Sequence, residues 1–310
     1  MNCRKNLHLS TGKYARLADG CAVATLGDTS VMVTTVSKSQ ASSNSSFVPL
    51  IVDYKQKAAA AGRIPTNFFR RELGHTEHEI LTSRLIDRSL RPLFPKKYNY
   101  ETQVMCNMLA LDGSNDPDVL SINGASAALA VSDIPWNGPV GAVRVGIVEN
   151  EVIINPRRRE LANSTLNLIV TASLHSSIVM IEGSADNLLE PDVKKALKAG
   201  VKECQGIVQA IQQLQKKCGK PKRTMDDPPQ LVEEIKESII SLSEMKLRGV
   251  FSDYKHDKIS RDVALTNIRN EVLTTIKSNY QDVDMFLASE FYSDFSKSIF
   301  RTLIFENDQR

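Results

Sequence analysis

Residues 58–95 read AAAAGRIPTNFFRRELGHTEHEILTSRLIDRSLRPLFP, and the order of residue types in this run sets the reading of the rest. Its second half is a helix with a visible start. Thr76 stands at the N-cap and Glu79 three residues later completes a capping box, while Pro92 and Pro95 mark the end. Ile80, Leu81, Leu85 and Ile86 are expected on one face, with Arg84, Arg88 and Arg91 recurring at spacings of four and three along another. Its first half is a small-residue loop in which Phe68-Phe69 sits directly before Arg70-Arg71. Aromatic faces stack on unpaired bases and guanidinium groups neutralise phosphates without reading sequence, so this pairing suits single-stranded nucleic acid. Against that stands a plainer reading, phenylalanines in the core and arginines on a solvated rim. From Arg63 to Lys97 there are eight basic side chains (the six arginines of the run plus Lys96 and Lys97) against four acids. Spacing alone does not decide between a phosphate-facing arginine stripe and an exposed ion-paired face.

Upstream, Leu7 to about Tyr54 reads as a β-meander: LHLSTG, YARLADG, then CAVATLGDTSVMVTTVS with Gly27-Asp28 as the hairpin turn, and FVPLIVDY after a serine-rich loop at 37–46. Downstream come a strand near Gln103 to Leu111 and a helix opening at Asp116-Pro117, with Asp as cap and Pro in the first turn. The body of that helix, INGASAALAVS, is small enough to lie close against a sheet. Strands near 140–148, 152–155, 166–172 and 178–182 follow, with a hairpin turn at Glu149-Asn150. A basic helix after Pro191 ends at Gly219, and three helical patterns fill 231–305 without a convincing strand. The predicted organisation is an α+β domain over 1–217, a linker over 218–230 and a small all-α domain over 231–310.

Of the 310 residues, 42% are hydrophobic and 24% charged, with a net charge of +3, which suits a globular chain and by itself indicates no polyanion partner. No run approaches the roughly 18 apolar residues of a membrane span, so none is expected, and MNCRKNLHLS lacks the apolar region of a secretory signal. Five scattered cysteines without a CxxC argue against a disulfide framework or zinc site. Lys194 to Arg223 holds nine basic residues against Glu203 alone, an electrostatic aid to polyanion binding at most. His75 and His78 with Glu77 and Glu79 imitate metal-ligand spacing, but no third ligand is placed and a capped helix start explains them better. No nucleotide-binding glycine motif and no nucleophile–base arrangement is found.

Residues 58–95, together with LDGSNDPDVLSINGASAALAVSDIPWNGPVGAVRVG at 111–146, closely resemble the polynucleotide phosphorylase family, most of all its animal mitochondrial form. The likeness spans nearly the whole chain. It implies an RNase PH-like fold, a ribosomal-protein-type βαβ sandwich, followed by the family's all-α domain. It also implies a homotrimeric ring that degrades single-stranded RNA from the 3′ end, with inorganic phosphate as co-substrate, nucleoside diphosphates as products and Mg2+ assisting, in a mitochondrial location. No DNA specificity is expected. The family's channel loop carries over onto Phe68, Phe69, Arg70 and Arg71, and Arg84, Arg88 and Arg91 are candidates for phosphate or another anion.

In the family the phosphate-binding serines and metal-binding aspartates belong to a second RNase PH-like domain, followed by KH and OB-fold modules, and residues 1–310 contain none of these. The equivalent turn here reads SNDPDV, Ser114 to Val119, with Asp116-Pro117 where a phosphate cradle needs small donors. The expectation is therefore that no catalytic residue and no metal ligand lies in this segment, and that the first domain is catalytically vestigial. Two readings compete: a segment supplying RNA contacts and ring assembly to a phosphorolytic enzyme, or an inert RNA-binding scaffold.

Overall fold

The computed structural model describes residues 6–41, 47–72, 74–95, 98–225, 231–280 and 283–307. Cys3, the tip of the serine-rich loop, Lys96, Lys97 and the last part of the expected linker lie outside the described residues. The chain divides into two compact units, Met1–Met225 and Asp226–Arg310.

The first unit is built on two sheets. Strands β1 (Leu7–Ser10), β2 (Gly20–Leu26), β3 (Thr29–Ala41), β4 (Leu50–Lys55) and β5 (Tyr100–Ala110) form one sheet in the order β1-β2-β3-β5-β4. Gly27-Asp28 makes the two-residue hairpin between β2 and β3, with Leu26 opposite Thr29 and Gly27 at φ +63°. Two parts of the meander expectation fail. YARLADG is not a strand but a set of turns in which the Lys13 ammonium lies 5.0 Å from the centre of the Tyr14 ring. And β4 does not return beside β3: it runs parallel to β5 at the sheet edge, because the AAAA segment forms a 3-10 turn (Ala58–Ala61), closed by Gly62 at φ +66°, and α1 (Glu77–Leu90) carries the crossover.

Helix α1 begins as its sequence dictates. The Glu79 carboxylate accepts from the Thr76 N–H at 2.8 Å and the Gln56 N–H at 2.8 Å, and the Thr76 hydroxyl accepts from the Glu79 N–H. Its buried face is Glu79, Thr82, Leu85, Ile86, Ser89 and Leu90. Ile80 and Leu81, expected with Leu85 and Ile86, are exposed instead, since the capping box turns Glu79 inward and rotates its neighbours out.

Helix α2 (Pro117–Val131) is buried along its whole length. On one side it meets β2 and β3, where a Cβ on Gly124 would stand 2.9 Å from Val33 Cγ2. On the other it meets the second sheet, β7-β6-β8-β9, made of β6 (Val140–Val148), β7 (Glu151–Ile154), β8 (Leu166–Ser173) and β9 (Ile178–Ala185), with the short α3 (Arg158–Ala162) between β7 and β8. Glu149 and Asn150, both at positive φ, make the predicted turn. Helix α4 (Glu190–Cys218) packs on this sheet through Ala196, Gly200 and Cys204.

Residues 219–225 are not a linker. Lys222 Nζ donates to the carbonyls of Leu129 (2.8 Å), Ala130 (3.3 Å) and Ser132 (2.8 Å), capping the C-terminus of α2, and burial pulls its pKa down to about 8. Arg223 pairs with Asp19 at 2.9 Å and Asp133 at 2.7 Å. Part of the basic run read as an electrostatic aid therefore fastens the end of the first unit to its core.

The second unit is three helices, α5 (Glu233–Ser252), α6 (Lys258–Asn279) and α7 (Met285–Asn307), around Ile239, Leu247, Val272, Ile276, Ala288 and Ile299. No helix among the described residues is long and apolar enough to cross a membrane.

The capping box carries a pH dependence. Burial alone pushes the Glu79 carboxyl up, but the Thr76 and Gln56 amides and nearby Lys57 outweigh it and hold the pKa below its ordinary 4.5. A carboxyl lowered on folding adds stability above its unfolded pKa and loses it as pH falls through the folded value. Urea unfolding should show Glu79→Gln about 1 kcal/mol less stable than wild type at pH 6, with the gap narrowing below pH ~4; a gap constant to pH 3 would remove the carboxylate from this role.

Candidate nucleic-acid interface and the cleft beside it

The turn carrying Phe68 to Arg71 is braced by residues that sequence reading passed over. The Asn67 side chain receives the Arg71 N–H at 3.1 Å and donates back to the Arg71 carbonyl, and the Arg70 N–H reaches the Asn67 carbonyl at 3.0 Å with Arg70 at φ +52°. At the base of the loop, Glu72 Oε1 accepts the Ala58 N–H at 2.9 Å, and Leu111 donates to the Ala60 carbonyl at 2.9 Å. The loop is thereby closed on itself and tied to the end of β5. The signal for it was present as an Asx residue four positions before an arginine, but such residues are common in loops and carry no meaning without the fold.

Phe68 is 93% and Phe69 69% exposed, so neither is a core residue. Their rings touch each other edge-on at 5.3 Å between centroids, and Arg70 and Arg71 are exposed beside them. Two aromatic side chains held in water by a braced turn cost hydrophobic free energy, about 1.5–3 kcal/mol each relative to burial. The plainer reading of this tetrad, core plus rim, does not describe it.

The three helix arginines part company. Arg91 is consumed by structure: Nε and Nη2 take both oxygens of Asp87 at 2.8 and 2.6 Å, and Nη1 and Nη2 donate to the carbonyls of Val48 and Leu50. It ties α1 to β4 and has little left for an anion. Arg88 is exposed and pairs with Glu182 on β9. Arg84 is exposed and has no side-chain partner among the described residues.

Between α1, the start of α2, β6 and β8 lies a groove of ≈ 350 Å³ whose lining includes His78, Thr82, Asp118, Arg144, Asn167 and Ile169. The start of a helix can hold an anion on free amides at the positive end of its dipole, and the start of α2 borders this groove. Here part of that donor set is taken or missing. Asp112 Oδ1 accepts the N–H groups of Ser114 (2.7 Å) and Asn115 (2.9 Å), Pro117 has none, and Asp118 Oδ1 accepts that of Val119 at 2.6 Å. Asp116 is the N-cap by position but its side chain caps nothing, a correction to the sequence expectation. It turns to Arg144, whose Nε lies 3.2 Å from Asp116 Oδ2 without the alignment of a hydrogen bond. The buried Arg144 guanidinium also binds Asp118 and Asn167. Burial and the neighbouring Asp118 push the Asp116 pKa up, and Arg144, Arg158 and His78 pull against them.

Asp116 and Asp118 are therefore committed to an arginine, and among the described residues no group of three or more His, Cys, Asp or Glu side chains could hold a metal ion. A divalent cation does not fit here, because its place between the two carboxylates belongs to Arg144. His75 lies 3.8 Å from Asp53, whereas His78 faces the groove. The described cysteines are free, and burial pushes the Cys204 thiol up to about 12.

Removing the arginine alone should be costly. Arg144→Met leaves two carboxylates around an apolar side chain and is expected to lower stability by about 3–5 kcal/mol, whereas the triple change with Asp116→Asn and Asp118→Asn should recover most of it. Equal urea midpoints for the single and triple variants would show that the charges are not coupled.

Residues 4–135 match domain 1 of the 3′ exoribonuclease family, and residues 138–203 match domain 2. The first match spans the five-stranded sheet with α1 and α2, and the second spans the four-stranded sheet with the start of α4. Over 303 residues the chain is 43% identical to the polyribonucleotide nucleotidyltransferase of Methylacidiphilum infernorum, covering 97% of this chain and 42% of that protein. It thus spans about two fifths of the length of the curated relatives it matches. Rice (Oryza sativa) Rrp46 shares the fold with a TM-score of 0.56 at 17% identity, covering 68% of this chain and 95% of that one. A chain of the Archaeoglobus fulgidus exosome with RNA bound to the active site gives 0.53 at 20%, covering 66% and 88%. With both domains of one family matched in order across the two sheets, the chain belongs to the 3′ exoribonuclease family.

Proposed function

We propose that this chain is the RNA-guiding part of a phosphorolytic 3′-to-5′ exoribonuclease, a polyribonucleotide nucleotidyltransferase. In that reaction an oxygen of inorganic phosphate attacks the last phosphodiester phosphorus, the ribose O3′ leaves, and a nucleoside diphosphate is released. The observation that carries the reading is the braced turn with Phe68 and Phe69 in water beside Arg70 and Arg71. Each ring offers a face to an unpaired base and each guanidinium meets a phosphate, a combination that tolerates any sequence and so suits a processive exonuclease. Exposed Arg84 extends the positive surface along α1, and Arg88 does so where Glu182 releases it.

The groove beside α2 has the place of an active site but the wrong chemistry. Aspartates take the amides of Ser114, Asn115 and Val119, Pro117 has none, and an arginine stands between the carboxylates. Phosphate attack and any magnesium are therefore assigned outside residues 1–310, and no step is routed through a metal here. A homotrimeric ring, the animal mitochondrial subtype and a mitochondrial location belong to the same proposal, supported by the wording of residues 58–95 and 111–146. Relatives of the fold in exosomes support assembly with like domains.

The test is release of ADP from poly(A) by the purified chain with magnesium, with and without inorganic phosphate. RNA binding without ADP is the expected result; phosphate-dependent ADP would place catalysis in this segment and overturn the assignment of the groove. For the turn, Phe68→Ala with Phe69→Ala should weaken single-stranded RNA by about 1–3 kcal/mol per lost stack irrespective of sequence. Arg70→Ala with Arg71→Ala should flatten the slope of log affinity against log salt by roughly 0.7 per lost contact. Unchanged affinity and slope in folded variants would turn these side chains away from RNA.

A further inference from the structure

Strand β9 is the outermost strand of its sheet, hydrogen-bonded to β8 on one side only. Its other edge is a row of main-chain N–H and C=O groups, and residues 181–185 are all exposed. Proteins usually blunt such an edge with a proline, a bulge or an unpaired charge. β9 has no proline, its irregularity lies at the start near Ala172, and its one charge, Glu182, is spent on Arg88 of α1. The large side chains it leaves in water are Ile178 and Ile181, 46% and 48% exposed.

Beside Ile178 lies a groove of ≈ 420 Å³ between α4 and the β8–β9 turn, lined by Ser176, Ile178, Leu197, Val201, Lys198 and Lys202. The groove is preformed. His175 and Ser176 both take left-handed backbone (φ +57° and +59°), and Gln205 Nε2 on α4 holds the Ser173 carbonyl at 3.0 Å. Its floor is aliphatic and its rim is two lysines one helical turn apart, neither with an ion-pair partner among the described residues. Lys194, a turn earlier, is held by Glu190 at 2.5 Å. Glu203, the one acid in this basic stretch, lines a different cavity with Leu7 and Leu9 of β1 and does not answer these lysines.

We propose that the free edge of β9 and this groove form a docking site for an extended segment of a partner polypeptide. The segment adds as a fifth strand to β7-β6-β8-β9, sets an aliphatic side chain between Ile178 and Val201, and places carboxylates on Lys198 and Lys202. Main-chain pairing supplies affinity in strand addition, and the groove with its two cations supplies register and choice of partner. A nucleic acid is the poorer occupant, since the floor offers no aromatic face for a base and the strand edge offers amides and carbonyls in the repeat of another strand. The site does not involve the Phe68 turn; the far end of β9, Glu182 to Ser184, also lines the groove at the start of α2, whereas Ile178, Lys198 and Lys202 do not.

The probe is a fluorescein-labelled ten-residue peptide alternating valine or isoleucine with aspartate or glutamate, titrated into the full 310-residue chain. Saturable binding is expected, with slowed amide exchange confined to 178–185 and at least a tenfold loss of affinity in Lys198→Glu with Lys202→Glu. The same peptide with lysine in place of its acids should not bind. Ile178→Asp, at an exposed position, gives a second folded variant and should lose binding likewise. Equal affinity for wild type and the charge-reversed chain, exchange protection elsewhere, or the same protection of 178–185 by oligo(A) would overturn the proposal.

Discussion

Everything in the first unit depends on how closely α2 can lie between two sheets. A helix buried on all sides has no solvent face to carry polar residues, so it must be small, apolar and internally satisfied. Gly124 lets Val33 of β3 approach, and Gly20 of β2 stands where a Cβ would meet the Ala128 carbonyl at 2.2 Å. Asn123 and Ser126, two of the polar residues α2 does carry, bond to the second sheet. Asn123 takes the Ala142 N–H at 2.7 Å and gives to the Ala142 carbonyl at 2.9 Å, while Ser126 accepts from Val140. These contacts set β6 against α2 and so set the groove that Arg144, on β6, points into.

The two ends of α2 show what this constraint does to charge. A buried helix cannot leave its terminal carbonyls and amides to water. At the C-terminus the solution is a lysine sent back from beyond α4, Lys222, with Arg223 fastening the same strap to Asp19 and Asp133. At the N-terminus Asp118, inside the first turn, accepts the Val119 N–H and Pro117 brings none, while Asp112 closes the preceding turn on the amides of Ser114 and Asn115. Both ends carry charges of the sign that the helix dipole favours, aspartates at the N-terminus and a lysine at the C-terminus.

Much of this was legible in the sequence where the signal is local. The capping box at Thr76, the Gly27-Asp28 and Glu149-Asn150 turns, the small residues of α2 and the three C-terminal helices are each set by neighbours within a few positions, and each formed as read. Some local readings failed too, with Ile80 and Leu81 turned out by the neighbouring capping box and Asp116 drawn away from its cap by Arg144, but the larger misses are non-local. Nothing near Leu50 to Lys55 says that β4 pairs parallel to β5, because that partner is chosen by the crossover. Residues 219–225 have the composition of a linker, and only the arrival of α2's C-terminus beside them makes Lys222 a cap. The candidate site divides in the same way. Phe68 to Arg71 were found by type, whereas Asn67 and Glu72, which hold them out, act through a turn that exists only once folded. Arg91 looked equivalent to Arg84 and Arg88 by spacing, and differs because β4 brings two carbonyls to it.

The separation of roles within this chain follows from these placements. A groove that once held phosphate would need free amides at a helix start and small side chains around them, and a metal would need carboxylates with no cation between them. Here Asp112 and Asp118 take the amides of Ser114, Asn115 and Val119, Pro117 has none, and Arg144 stands between Asp116 and Asp118. Each of these contacts satisfies a polar group at the buried end of α2, and each uses an amide or a carboxylate that an anion or a cation would need. The Phe68 turn shows the opposite balance. It holds apolar rings in water at a cost in stability, and no folding requirement explains that arrangement. The braces that keep two rings and two guanidinium groups at the surface are Asn67 and Glu72, not the core, and it is this arrangement that the proposed RNA contact uses.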